Sequence, residues 1–203
     1  MRISERIYLQ NDVITFSKTN GAFGGLSNMA FGYSLFVNET NIDNTEILYQ
    51  ACRFPLFPKI QEEIVSKSNP MEAKELSRKY NNYTRQDWEE VKFDVMRWCL
   101  QVKLIQNYNS FSKLLFSTQN KTIVEYSKND NVWGAVPFGQ NQLKGKNALG
   151  RLLMETREIF LEKVKNYDHI TPLNIPAFLL FNNPIEKIYK PEFSINDLDE
   201  VYV

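Results

Sequence analysis

Four short stretches hold side chains able to act on a sugar or a nucleotide. The first, KTNGAFGGLSNM (residues 18–29), sets Lys18 and Asn20 ahead of Gly21, Gly24, Gly25, Leu26, Ser27 and Asn28. Glycines there can adopt positive backbone angles and let a phosphate or ribose approach main-chain N–H groups, with Lys18 beside them. An ordinary turn between strands explains the same glycines. In the second, Glu46, Gln50 and Arg53 are spaced so that a helix would point all three polar heads to one side. A solvated helix face has the same pattern. The third, NDNVWG, puts Asp130 within a turn of Trp133 and Gly134. An acid beside a large flat ring suits cleavage of a sugar–base bond, the carboxylate steadying positive charge at the sugar carbon and the ring stacking on the base. Asp-Asn is equally turn chemistry, and Trp equally a core residue. The fourth, LKGKNALG, places Gly145, Lys146 and Asn147 at an expected helix start, where unpaired N–H groups and the helix dipole favour an anion such as pyrophosphate.

These groups need elements to hold them. IYLQNDVITF reads as a strand leading into the glycine segment, and YSLFVNET as a second strand ending in turn residues. Asn44 or Thr45 can cap a helix whose apolar side is Leu48, Ala51 and Cys52. Ser68 or Asn69, Pro70 and Glu72 mark another helix start, with a stop near Tyr80 to Tyr83. After Thr84, the steps of three and four between Trp88, Val91, Val95, Trp98, Val102 and Ile105 predict the strongest helix and a buried stripe. SFSKLLFST is a short helix. NALGRLLMETREIFLEKVKN is a long one, capped by Asn147, with Leu149, Leu152, Leu153, Thr156, Phe160 and Val164 on one side. The stretch between those two is too long for a mere connector.

The composition bounds the rest. A chain of 203 residues, 43% hydrophobic, suits one domain with a real core. Lys plus Arg and Asp plus Glu are 24 each, so no global field recruits nucleic acid or anionic membrane, and any DNA contact must be local. One histidine, His169, leaves no His pair or Cys/His cluster for zinc or iron, and no metal or other cofactor is expected. Cys52 and Cys99 read as reduced, buried thiols. With no secretory leader and no apolar run long enough to cross a bilayer, the expected location is the cytoplasm, away from membranes.

Taken in order, FSKTNGAFGGLSN, TEILYQACRF, SNPMEAKELSR, VKFDVM, LLFST, IVEYSKNDNVWG and GKNALGRLLMETR resemble the NADAR domain family, the YbiA-like N-glycosidases, from about Phe16 to about Arg157. The resemblance implies a mainly α fold with a few short β-strands (α+β), taken here as a single domain over 1–165; the prolines and weak periodicity of 166–203 read separately as an extended tail packed on its surface. The resemblance also implies hydrolysis of N-glycosidic bonds to ribose. Two substrate classes follow: ADP-ribose on guanine, in single-stranded DNA or a nucleotide, and phosphoribosylated intermediates of riboflavin synthesis. The K-T-N-G-x-F-G-G-L-S-N segment is similar to the guanine branch, which includes antitoxins paired with DarT-type ADP-ribosyltransferase toxins. The family's acid, glutamine and basic residue fall on Glu46, Gln50 and Arg53, with Ile47 where the family usually has histidine and arginine where it has lysine. On this resemblance the expected mechanism is attack of Lys18 on the anomeric carbon to give an imine, with Glu46 and Asp130 exchanging protons. The amides of Gly24, Gly25 and Leu26 and the helix start at Lys146 would hold the diphosphate, and Trp133 would stack on a base. Direct water attack helped by Glu46 or Asp130 is the alternative. A module that binds ADP-ribose or a toxin without cutting is the rival from another class.

Overall fold

The computed structural model describes residues 3–160 and 168–191. Its packing axis is α4 (Trp88–Gln106). Of the stripe expected there, Trp88, Val95, Trp98, Val102 and Ile105 are buried and Val91 is half-buried. At about 1.5–3 kcal/mol for each large apolar side chain removed from water, that stripe makes α4 the hub of the core. Helices α1 (Thr45–Ala51), α5 (Tyr108–Ser117) and α6 (Ala148–Glu155) pack on it, and α2 (Pro58–Val65) and α3 (Pro70–Lys79) pack on α1. Asn44 caps α1 by accepting from Ile47 N at 3.2 Å, and Asn69 caps α3 by accepting from Met71 N at 2.9 Å. Helix α2 lacks a side-chain cap, and Pro58 in its first turn is the one start signal its sequence carries.

The stretch 7–16 is two strands rather than one. A 3-10 turn at Gln10–Asp12 separates β1 (Arg6–Leu9) from β2 (Val13–Phe16). The hairpin of β3 (Leu35–Val37) and β4 (Thr40–Ile42) turns through Asn38 and Glu39, both at positive φ. β2 runs parallel to β5 (Thr122–Glu125), with Phe16 opposite Glu125, and Tyr126 N donates to Phe16 O at 2.8 Å. The glycine segment and the loop after β5 therefore leave the paired strands at the same end. Within that loop lies β6 (Val136–Pro137), paired with β7 (Gln142–Gly145), which also pairs antiparallel with β1.

Helix α6 ends at Glu155 and passes into a π-helical stretch, Thr156–Phe160; the rest of the helix expected to reach Asn166 lies outside the described residues. Val164 and the boundary expected at 165–166 lie outside the described residues. Residues 168–191 are not simply extended: β8 (His169–Ile170) pairs with β11 (Ile188–Tyr189), and β9 (Leu179–Leu180) with β10 (Asn183–Pro184). They also enter the main core through Ile170, Phe178, Leu180, Ile185 and Ile188. Phe178 meets Trp98 edge-on at 4.9 Å, and the buried Gln61 of α2 donates to Ala51 O and Leu179 O while accepting from Phe181 N. Cys52 and Cys99 are free and buried. Among the described residues no helix is long and apolar enough to cross a membrane.

Candidate active site

A cavity of about 360 Å³ opens between α1, α3, α4 and the loop after β5. Its α1 wall carries Glu46, which is 2% exposed. Both carboxylate oxygens are held by amides: Gln50 Nε2 donates to Oε1 at 2.7 Å, and the Asn28 side chain donates to Oε2. The backbone joins the same residues, since Glu46 N donates to Asn28 O at 2.9 Å. Gln50 is itself fixed, its Oε1 accepting from Ser77 Oγ at 2.6 Å and from Arg53 Nη1 at 3.1 Å. Arg53 also reaches Ser77, Asn81 and Thr84, and its guanidinium faces Trp88 at 5.5 Å. Only Glu46 and Gln50 share α1, which ends before Arg53, yet all three join one largely buried network and not a solvated face. Burial pushes the Glu46 carboxyl up, against Lys74, the Gln50 bond, Arg53 and Arg78.

Glu125, at the end of β5, lines the facing wall with Ser127, Asp130 and Trp133. Burial, and after it the nearby Asp130 and Glu46, push its carboxyl up to about 7, with Lys74 opposing. Asp130 closes a tight turn: its Oδ1 accepts from Val132 N and Trp133 N, both at 2.9 Å, and Ser127 Oγ accepts from Asp130 N. Trp133 is half-buried, with Tyr49 and Phe93 edge-on at 5.5 and 5.2 Å. Three further cations line the cavity, Lys74, Arg78 and Lys92, the last paired with Glu89, which also lines it.

The start of α6 behaves differently from the anion site expected there. Asn147 adopts φ 50° and makes no side-chain cap. Its Oδ1 accepts from Glu125 N at 3.0 Å and its Nδ2 donates to Ile123 O at 2.8 Å, clamping β5. The main-chain amides of Lys146, Asn147, Ala148 and Leu149 donate to the carbonyls of Asn131, Gly134, Val132 and Trp133. Donors so engaged leave nothing for a phosphate, and they fix the Asp130–Trp133 loop instead. Gly145 is required by close approach, because a Cβ there would lie 2.4 Å from Gly134 O.

The glycine segment also turns most of its named donors onto itself. Gly24 N donates to Gly21 O, Leu26 N to Phe23 O and Ser27 N to Gly24 O, so two of the three amides expected to cradle a diphosphate are engaged within the segment itself. Leu26 is core, and the glycines allow tight packing: a Cβ on Gly24 would sit 2.2 Å from Thr19 O, and one on Gly25 2.4 Å from Tyr33 Oη. Lys18 is exposed and lines a separate depression of about 210 Å³ with Gly21, Phe23 and Gly24. Asn20 is exposed and lines neither that depression nor the cavity. The cavity thus gathers Asn28, Glu46, Gln50, Arg53, Asp130 and Trp133, while Lys18, Asn20, Gly24, Gly25, Leu26, Ser27, Gly134, Gly145, Lys146 and Asn147 are not among its lining residues.

Glu125, Lys74, Arg78 and Lys92 complete the site without having stood out in the sequence. Lys74 and Arg78 carry a readable signal, a basic pair four residues apart on one face of α3. Glu125 carries none, because one acid at the end of a four-residue strand is common.

Residues 15–161 match the NADAR domain. The chain belongs to the NADAR domain family. N-glycosidase YbiA of Escherichia coli is 37% identical over 150 residues, covering 74% of this chain and 89% of YbiA. A riboflavin biosynthesis protein of Vibrio vulnificus is 31% identical over 174 residues, covering 86% of this chain but 44% of that one. The NMR structure of E. coli YbiA superposes with a TM-score of 0.66 at 34% identity, over 80% of this chain and 92% of YbiA. The NADAR chain described here therefore has the YbiA-like α+β fold.

Proposed function

We propose that this NADAR protein is an N-glycosidase that hydrolyses the bond between ADP-ribose and guanine in DNA, reversing the mark of a DarT-type ADP-ribosyltransferase. One observation carries the reading: a single cavity sets Glu46, Glu125 and Asp130 against the cations Lys74, Arg78 and Lys92. Breaking a ribose–nitrogen bond develops positive charge on the sugar, which carboxylates stabilise. A diphosphate needs cations close to that sugar. The name of YbiA, an N-glycosidase, supports the bond type.

In this mechanism the C1–N bond of the ADP-ribosyl guanine breaks and its electron pair passes to the guanine nitrogen. Glu125, with a carboxyl raised to about 7, is the acid that protonates the leaving base. Glu46, aligned by Asn28 and Gln50, takes the proton of the water whose oxygen bonds to C1. Asp130 steadies the cationic sugar and Trp133 supplies a stacking face.

Attack by Lys18 is the second mechanistic reading. It is favoured by the β2–β5 pairing, which sends the segment holding Lys18 and the segment holding Ser127 out at the same end. Borohydride added during turnover separates the routes. Water attack leaves no trapped adduct and keeps activity in Lys18→Ala, whereas the imine route leaves a reduced enzyme–sugar adduct that Lys18→Ala abolishes. For the substrate, catalytic amounts of protein are given an ADP-ribosyl-guanine oligonucleotide and, separately, a phosphoribosylated riboflavin precursor. Multiple turnovers on the first, releasing ADP-ribose, are expected. Turnover on the second alone would move the reading to the riboflavin pathway, and turnover on neither would leave a binding module.

A further inference from the structure

Lys103 of α4 is the one buried lysine among the described residues, with no exposed surface. It does not line the cavity. Its Nζ donates to Gly25 O at 2.6 Å and to Ser27 O at 3.0 Å, and lies 4.2 Å and 4.3 Å from the ring centroids of Tyr33 and Phe111. Burial drives its pKa well below the ordinary lysine value, the mark of a costly position. An apolar side chain of similar length would fill this part of the core with less penalty. What an alkyl chain cannot do is hold two carbonyls. The residue after Ser27 is Asn28, whose carbonyl accepts from Glu46 N and whose side-chain amide donates to the Glu46 carboxylate.

We propose that Lys103 is a positioning residue: by drawing the carbonyls of Gly25 and Ser27 onto α4 it fixes Asn28, and through Asn28 it aims the carboxylate of Glu46. The inference rests on the glycosidase reading for its kinetic consequence, but its structural half can be tested without any substrate. Van der Waals packing alone gives no reason for such a linkage, whereas a misaim of about 1 Å at a reacting group costs on the order of 100-fold in rate.

The test is Lys103→Met in the full chain. Amide hydrogen exchange is followed at Ser27 and Glu46, and kcat and KM on an ADP-ribosyl-guanine oligonucleotide are measured in the wild-type and Asn28→Ala backgrounds. The expected result is exchange about tenfold faster at those two amides with α6 unchanged, and kcat about 30-fold lower with KM within about threefold. In the Asn28→Ala background the second change lowers kcat no further, because the effect passes through Asn28. A general loss of packing would instead lower kcat by the same factor in both backgrounds. Wild-type exchange and kcat in folded Lys103→Met, or costs that multiply, overturn the proposal. Should Lys103→Met not fold, Tyr33→Leu removes one ring beside the ammonium, and the same two signatures must appear at smaller size or the proposal fails. Should the wild type not turn over the oligonucleotide, the glycosidase reading fails and the exchange result alone decides whether Lys103 holds Asn28.

Discussion

The two walls of the cavity hold their carboxylates in opposite ways. On the α1 wall, Glu46 is gripped at both oxygens by amides, and Lys74, Arg53 and Arg78 oppose the effect of its burial. On the β5 wall, among the described residues none donates a hydrogen bond to the Glu125 carboxylate, and Asp130 and Glu46 add to the effect of burial. Burial pushes both carboxyls up, but amides and cations hold Glu46 back, whereas its acidic neighbours press Glu125 further, to about 7. That contrast separates the two roles a glycosidase needs, a base for water and an acid for the leaving group.

The largest effect expected from breaking the contrast is in Glu46→Gln, which keeps the side-chain shape, removes the base and sets one NH2 against an amide donor. Turnover of an ADP-ribosyl-guanine oligonucleotide should fall by about 10³-fold, within the range for a general base, with the fold intact by circular dichroism. Glu125→Gln should follow with a loss of about 10²-fold and a changed pH profile. In the wild type, kcat should decline as pH rises through about 7, where Glu125 loses its proton, and this limb should vanish in the variant. Stability gives the same group a second reading. A carboxyl raised from 4.5 to about 7 contributes stability that is full below about pH 4.5 and lost as pH rises through about 7. The decline of Tm across that window should therefore be shallower in Glu125→Gln.

The cations of the cavity sharpen the comparison. Lys74→Ala with Arg78→Ala should raise KM about tenfold, leave kcat within about threefold, and weaken the dependence of KM on salt. The smallest effect is expected behind the β5 wall. Asn147→Ala removes the clamp on Ile123 and Glu125 and should destabilise the chain by about 1–3 kcal/mol in urea unfolding.

The α1 wall was largely legible in the sequence, because Glu46 and Gln50 lie one helical turn apart in α1 and Arg53, just past its end, lies close enough to reach Gln50. The stripe of α4 and the Asn69–Pro70 start of α3 were legible for the same local reason. The β5 wall was not. Glu125 matters because a parallel pairing with β2, more than a hundred residues away in the chain, carries it to the cavity. The sequence of the glycine segment and of the start of α6 suggests ligand-binding amides, yet in the fold Gly24 N, Leu26 N and the amides of residues 146–149 donate to carbonyls of the protein itself. The glycine segment closes on carbonyls three residues back, and the start of α6 turns to carbonyls of residues 131–134, a partner that spacing within its own short stretch does not encode.

The most direct measurement is multiple-turnover release of ADP-ribose from an ADP-ribosyl-guanine oligonucleotide by wild-type protein and Glu46→Gln side by side, with ADP-ribose binding measured for both. The account predicts many turnovers by the wild type, a loss of about 10³-fold in the variant, and binding retained by both. No release by the wild type, or equal release by the two proteins, would contradict it.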